Sequence, residues 1–452
     1  MSFKPQNCSS PAVISGPISG GKHGRQFTSY LGDISKIGYI EEEYFLSGQA
    51  ASFVPQGELT ADGKWSLSKE GSTPYQTRIF IQRPLDSAKF NGTVLVEWMN
   101  VSFGYEHPMC YGQWIYENGY AIAYVAAQSV CVHGISERDM GLIAWDSERY
   151  GSLSIPNDSI SYDIFTQAAQ AVGPNRNLLQ TDPMNGLAVK KLIALGYSQS
   201  GSRLHAYANG VQPIENVFDA IIPIANAGAA SDFKPEISFG PGNQRIVFSW
   251  VRDDLSIPVL VLNSEHEAQY YQYIRQPDSD RFRSYEVAGT GHVSRREVEY
   301  TRDMHRQDGI NSPDFAGYYN PSEWMTTSWM PIIETALDKM DAWINGEPVF
   351  FGTPIQTEDG KILRDKYGNA IGGVRLPELE VPIACYDGTG AGLGGKQTML
   401  SEEEFRELYP SREEYAAKVA AAAKKASSTG LLLPYHADAY IKKSETDMLG
   451  IF

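Results

Sequence analysis

Short apolar runs, each closed by glycine, proline or polar residues, constrain this chain more than any other feature. They are "GTVLVEWMNV" (Gly92 to Val101), "GYAIAYVAAQ" (Gly119 to Gln128), "KLIAL" (Lys191 to Leu195), "FDAIIPIA" (Phe218 to Ala225) and "IPVLVLN" (Ile257 to Asn263). All are too short for most helices and rich in strand-favouring side chains, the mark of strands covered on both faces. Helical periodicity fills intervals between them: "YDIFTQAAQAV" (Tyr162 to Val172) sets Phe165, Ala168, Ala169 and Val172 on one face, and another helix starts near Ser200. Strands alternating with helices predict an α/β fold with a mostly parallel sheet flanked by helices. "YQTRIFIQRPL" (Tyr75 to Leu85) alternates polar and apolar residues, which predicts a strand with one wet face, and "FRSYEVAG" (Phe282 to Gly289) closes the series. The expected organisation is an N-terminal β segment over 1–74, a catalytic core over 75–346 and an extension over 347–452. No Pro/Ser-rich linker precedes that extension, so it is expected to pack on the core.

The chain has 452 residues, 42 % of them hydrophobic, enough for one to three domains. Its formal charge of −16 would be repelled by phosphate surfaces, which argues against nucleic-acid and anionic-membrane partners. No run of about 18 apolar residues is present to span a bilayer. The N-terminus lacks the charged-then-apolar pattern of an export signal, making a cytoplasmic location the default expectation. Cys8, Cys110, Cys131 and Cys385 lack metal-site spacing and are expected as free thiols. N-x-S/T triplets at Asn7, Asn91, Asn100 and Asn157 carry little weight.

"KLIALGYSQSG" runs from an apolar strand straight into a helical segment, with Gly196-Tyr197-Ser198-Gln199-Ser200 at the junction. This is the G-x-S-x-small pattern of a nucleophile elbow, in the strand–turn–helix setting that the pattern requires. Ser198 is the expected nucleophile. Ser200 sits too far into the helix and suits a structural, capping role.

A serine hydroxyl needs a general base and a group to orient that base, expected in the chain order serine, acid, histidine. Of the eight histidines, His266, His292, His305 and His436 follow Ser198. His292 stands in a glycine-rich loop after a strand and is the expected base. His305 and His436 are expected at the surface, and His266 is hemmed between glutamates. The acid should follow "IPVLVLN", where Ser264-Glu265-His266-Glu267 stands. Counting three residues from Ser264 gives Glu267, with Glu265 as rival and Asp278 more remote. Two backbone amides should hold the developing oxyanion. One is expected from Gln199, and the other from the loop after "TVLVEWMN", at Asn100 or Val101.

The stretches "GYIEEEYFLSGQA", "TRIFIQRP", "FNGTVLVEWMNVS", "GYSQSGSRL", "SEHEA", "RSYEVAGTGH", "GNAIGGVRLPELEVPIACYDG" and "LYPSREEYAAKV" together resemble the alpha/beta hydrolase domain-containing proteins, a branch of the α/β-hydrolase superfamily. The resemblance covers nearly the whole chain. It implies a hydrolase with Ser198 as nucleophile, His292 as base and the C-terminal tail in the same unit. One departure stands out: S-E-H-E replaces the S-E-T-D expected there, leaving open whether Glu267 or Glu265 orients His292.

"YDGTGAGLGGKQ" imitates both a dinucleotide fingerprint and a P-loop. Gln397 stands where the P-loop needs Ser or Thr, and no helix opens at the third glycine, so a flexible loop is expected. No metal-ligand spacing is visible. The expectation is therefore a cofactor-free, metal-free serine esterase acting on a small neutral carboxylic ester through an acyl-enzyme. Acyl transfer, or lactone or amide hydrolysis, would use the same triad, and a non-catalytic binding protein would use the same fold. Oligomeric state leaves no signature in the sequence.

Overall fold

The computed structural model describes residues 12–109, 111–135, 140–176, 179–234, 246–310, 324–349, 352–390 and 392–446. Asn7, Cys8 and Cys110 lie outside these. The chain divides into two compact units, Met1–Met109 with Gln113–Leu260, and Cys110–Gly112 with Val261–Phe452.

In the first unit β1 (Val13–Ser15), β2 (Tyr39–Pro55), β3 (Leu67–Pro84), β4 (Thr93–Trp98), β5 (Ala121–Val125), β6 (Lys191–Tyr197) and β7 (Ala220–Ile224) form a sheet in the order β1-β2-β3-β5-β4-β6-β7. The long β2–β3 hairpin is antiparallel, as are β1 on β2 and β3 on β5. β5, β4, β6 and β7 run parallel. Every residue of β4, β5 and β7 is buried, as the continuous apolar runs require of parallel strands. The helix Ser161–Val172 matches the amphipathic segment, but its polar face is also buried. A small pair, β8 (Ala229–Ser231) with β9 (Ile246–Phe248), completes this unit's strands.

The wet face expected for Tyr75 to Leu85 is absent, because β3 is buried on both sides from Thr77 to Pro84. Its polar side chains are matched internally. Thr77 donates to the Ala126 carbonyl at 2.5 Å, and Gln82 donates to Glu41 at 2.6 Å. The fully buried Arg78 donates to Glu43 at 2.6 Å, to Glu106 and to the Phe27 carbonyl at 3.1 Å. A buried guanidinium is tolerable only with such partners. Alternation alone does not distinguish water from an internal ion pair.

The second unit takes the end of β10 (Val259–Ser264), which neighbours β11 (Phe282–Val287). The helices Glu265–Tyr271, Arg295–Asp308 and Met330–Ile344 follow, then two hairpins, β12 (Thr357–Glu358) with β13 (Lys361–Ile362) and β14 (Ala384–Asp387) with β15 (Lys396–Met399). The glycine-rich stretch is the connection inside the second hairpin. The alanine-rich segment forms the helix Arg412–Ser428, whose Tyr415 and Val419 join Ala288, Leu379, Ile383 and Tyr386 in an apolar cluster. Extension and histidine loop thus share one core.

Cys131 and Cys385 are free thiols. Among the described residues no helix is long and apolar enough to cross a membrane, and no group of His, Cys, Asp and Glu has an arrangement suited to a metal ion.

Candidate active site

In the first unit Ser198 follows β6 directly and caps the helix Gln199–Ala206 with φ 59° and ψ −115°, a backbone that non-glycine residues rarely adopt. Its N–H donates to the Ile224 carbonyl on β7 at 2.8 Å, and its carbonyl accepts from Ser202 N–H at 3.0 Å, so strand and helix hold the strained residue from both sides. Two glycines permit that approach. A Cβ on Gly196 would lie 2.7 Å from the Ser200 carbonyl oxygen, and one on Gly201 would lie 2.4 Å from that of Ile224. The sequence pattern supplied Gly196; the need for Gly201 emerges only from the neighbouring strand. Ser200 is fully buried, and its Oγ sits 3.0 Å from Tyr197 N and 2.9 Å from Tyr197 O, closing the turn as a structural serine.

The loop after β4 is pinned to the same turn. Asn100 Nδ2 donates to the Tyr197 carbonyl at 2.8 Å, while its Oδ1 accepts from Ser102 N–H at 2.7 Å. Asn100 N–H is already spent on the His107 carbonyl at 3.1 Å. Val101 N–H has no such acceptor among the described residues, and neither does that of Gln199, in the first turn of its helix, where amides lack an intrahelical partner.

In the second unit Ser264-Glu265-His266-Glu267 opens a helix through a capping box. Glu267 Oε2 accepts from Ser264 N–H at 3.0 Å and from Ser264 Oγ at 2.6 Å. The other oxygen, Oε1, lies 2.6 Å from His292 Nδ1. One carboxylate therefore caps the helix and holds the imidazole. Such a partner favours the proton on Nδ1 and leaves Nε2 as the basic nitrogen. Burial alone would depress the His292 imidazole, but Glu267, with Glu297 behind it, lifts it above its ordinary value of 6.5. Burial would likewise raise the Glu267 carboxyl, and the charges of His292 and His266 together with the Ser264 hydroxyl outweigh it, holding the group below its usual range. The His266 ring lies 5.9 Å from that of His292.

Glu265 faces elsewhere. Its Oε1 accepts from Arg364 at 2.9 Å and Gly388 N–H at 3.1 Å, and its Oε2 from Gly289 N–H at 2.7 Å. Asp278 is exposed beside Arg283. The two histidines expected at the surface are packed instead. His305 is 2 % exposed on the inward stripe of its helix with Val298, Thr301 and Met304. His436 lies 2.7 Å from the buried Glu334. Arg364 had no sequence signal at all, because its partners lie far along the chain.

A family model described as alpha/beta hydrolase domain matches residues 14–442. A search of curated proteins returned no match. Among solved structures, a putative dienelactone hydrolase from Klebsiella pneumoniae subsp. pneumoniae MGH 78578 is 13 % identical, with 67 % of this chain and 98 % of that one covered and a TM-score of 0.27. One of two fungal esterases from Rhizomucor miehei is 11 % identical, with 67 % and 84 % covered and a TM-score of 0.30. A glucuronoyl esterase from Teredinibacter turnerae T7901 is 11 % identical, with 68 % and 80 % covered and a TM-score of 0.27.

Proposed function

The chain belongs to the alpha/beta hydrolase family, and from that membership we propose that it is a serine hydrolase cleaving a small neutral carboxylic ester. Ser198 Oγ attacks the carbonyl carbon while His292 Nε2 takes its proton. The tetrahedral oxyanion is held by the N–H groups of Gln199 and Val101. Collapse breaks the ester C–O bond, and His292 returns the proton to the departing alcohol. Water then attacks the acyl-enzyme with the same proton relay, releasing a carboxylic acid and restoring Ser198. Glu267 keeps the imidazole in one tautomer and stabilises the imidazolium formed in each half-reaction.

The observation that carries this reading is the buried Glu267 carboxylate seated on His292 Nδ1 at 2.6 Å. A carboxylate there costs desolvation and serves a base better than it serves packing. The strained backbone of Ser198, which a purely structural turn would not require, supports it. The net charge of −16 supports a neutral rather than an anionic ester.

The test is labelling by a fluorophosphonate followed by peptide mapping. Modification at Ser198, lost in Ser198→Ala, is expected. A protein that hydrolyses p-nitrophenyl acetate equally well as Ser198→Ala would overturn the reading. Product analysis with added methanol tells hydrolysis from acyl transfer.

A further inference from the structure

The glutamate that does not face His292 is buried as deeply as the one that does, and its contacts define a different task. Glu265 is fully buried at the start of the helix Glu265–Tyr271. Its Oε2 accepts from the N–H of Gly289, three residues before His292. Its Oε1 accepts from Gly388 N–H at the end of β14, and from Arg364 Nη2. Arg364 Nη2 also reaches Asp387 Oδ1 at 2.6 Å, tying the guanidinium to the same hairpin. Gly388 must be glycine here, because a Cβ would sit 2.3 Å from the Thr290 carbonyl oxygen and 2.6 Å from Glu265 Cβ.

The histidine loop meets the extension on its other sides as well. Ala288 N–H donates to the Val374 carbonyl at 3.0 Å, and Val374 N–H donates to Glu286 at 2.8 Å. Beyond the imidazole, Val293 N–H donates to Leu393 in the glycine-rich connection at 3.0 Å. The loop from Ala288 to Val293 is therefore hydrogen-bonded to the extension at both ends. Glu265 joins three chain segments at once through its side chain, bonding Gly289, Gly388 and Arg364.

We infer that Glu265, braced by Arg364, is a positioning residue that sets His292 by fixing its loop against the C-terminal hairpin Ala384–Met399. This rests on the serine-hydrolase reading above and extends it. Glu267 orients the ring, whereas Glu265 fixes the backbone from which the ring hangs. A buried carboxylate accepting two backbone N–H groups and a guanidinium N–H is suited to this. Burial raises its pKa while Arg364 and the Gly289 N–H act against that rise, and bonds to a charged donor resist sliding better than neutral ones. Displacement of a base by about 1 Å costs up to roughly 100-fold in rate.

The experiment compares full-length wild type, Glu265→Gln, Arg364→Met and Ser198→Ala on p-nitrophenyl acetate, with kcat and KM separated and melting followed by circular dichroism. Glu265→Gln is expected to lower kcat about 10- to 100-fold with KM within about twofold, to slow fluorophosphonate labelling in parallel, and to shift the acid limb of the pH profile. Glu265→Asp, which keeps the charge but shortens the reach, is expected to recover only part of the rate. Arg364→Met leaves the buried glutamate in place and gives the same pattern more weakly. It carries the test should Glu265→Gln fail to fold. Folded Glu265→Gln or Arg364→Met protein with wild-type kcat and acid limb would overturn the inference. If Ser198→Ala alone is inactive in that case, the hydrolase reading survives; if Ser198→Ala is active, that reading fails separately.

Discussion

The serine turn and the histidine loop are both held rigidly, but by different means. The turn is fixed by its own neighbourhood: backbone strain at Ser198, close approach at Gly196 and Gly201, and hydrogen bonds to the adjoining strand and helix. The histidine loop carries no such strain. It is fixed by contacts remote in sequence, from Glu265, Val374, Gly388 and Leu393. A nucleophile can be made by a short local motif because its geometry is a property of one turn. A base must be placed by the rest of its unit.

That contrast can be broken or sharpened by substitution. The largest effect is expected for Ser198→Ala, a loss of about 10⁴- to 10⁶-fold in kcat with the fold intact, read by ester turnover and circular dichroism. Glu267→Gln should follow, with kcat down roughly 10²- to 10⁴-fold. Its pH profile supplies a signed check. The base must be neutral, so the acid limb of wild-type kcat/KM is expected to have its midpoint above 6.5, where Glu267 has raised the imidazole. Removing the carboxylate leaves burial opposed only by Glu297, so the midpoint should fall; an unmoved limb would deny Glu267 its role. Glu265→Gln should lie between this and the local variants, as argued above.

Asn100→Ala tests the turn's outer support. It removes the bond to the Tyr197 carbonyl, and a buried hydrogen bond is worth about 0.5–1.5 kcal/mol. A lower melting temperature and a loss of activity under tenfold are expected. One substitution should change stability with the opposite sign. Ser198→Gly abolishes catalysis but releases a backbone strain of about 1–3 kcal/mol, so thermal melting should rise. A fall would mean that the turn is unstrained.

The same contrast explains what was legible in the sequence. The strand runs, the helix at Ser161 and the elbow are local patterns, and each is present where periodicity put it. Counting three residues from Ser264 reaches Glu267, and the structure supplies the physical reason that it meets His292: Ser264-x-x-Glu267 is a capping box, so the third residue is turned back to the strand end where His292 lies. That the Asn100 N–H is taken was not legible, because its acceptor is the carbonyl of His107 across the loop. Nor were the buried faces of β3 and the packed His305, since polar residues satisfied internally have the same spelling as polar residues in water. The task of Glu265 was hidden for the plainest reason: Arg364 and Gly388 lie about a hundred residues downstream.

That downstream placement has a consequence during synthesis. Nascent chains emerge from the N-terminus and tend to fold in that order, so a ribosome-bound intermediate can complete the elbow at Ser198 while Val374, Gly388 and Leu393 are still untranslated. Such a species would own its strained serine and lack the seat for its imidazole. The protein would then acquire reactivity only once the extension has been made, which spares a half-made chain from premature acylation.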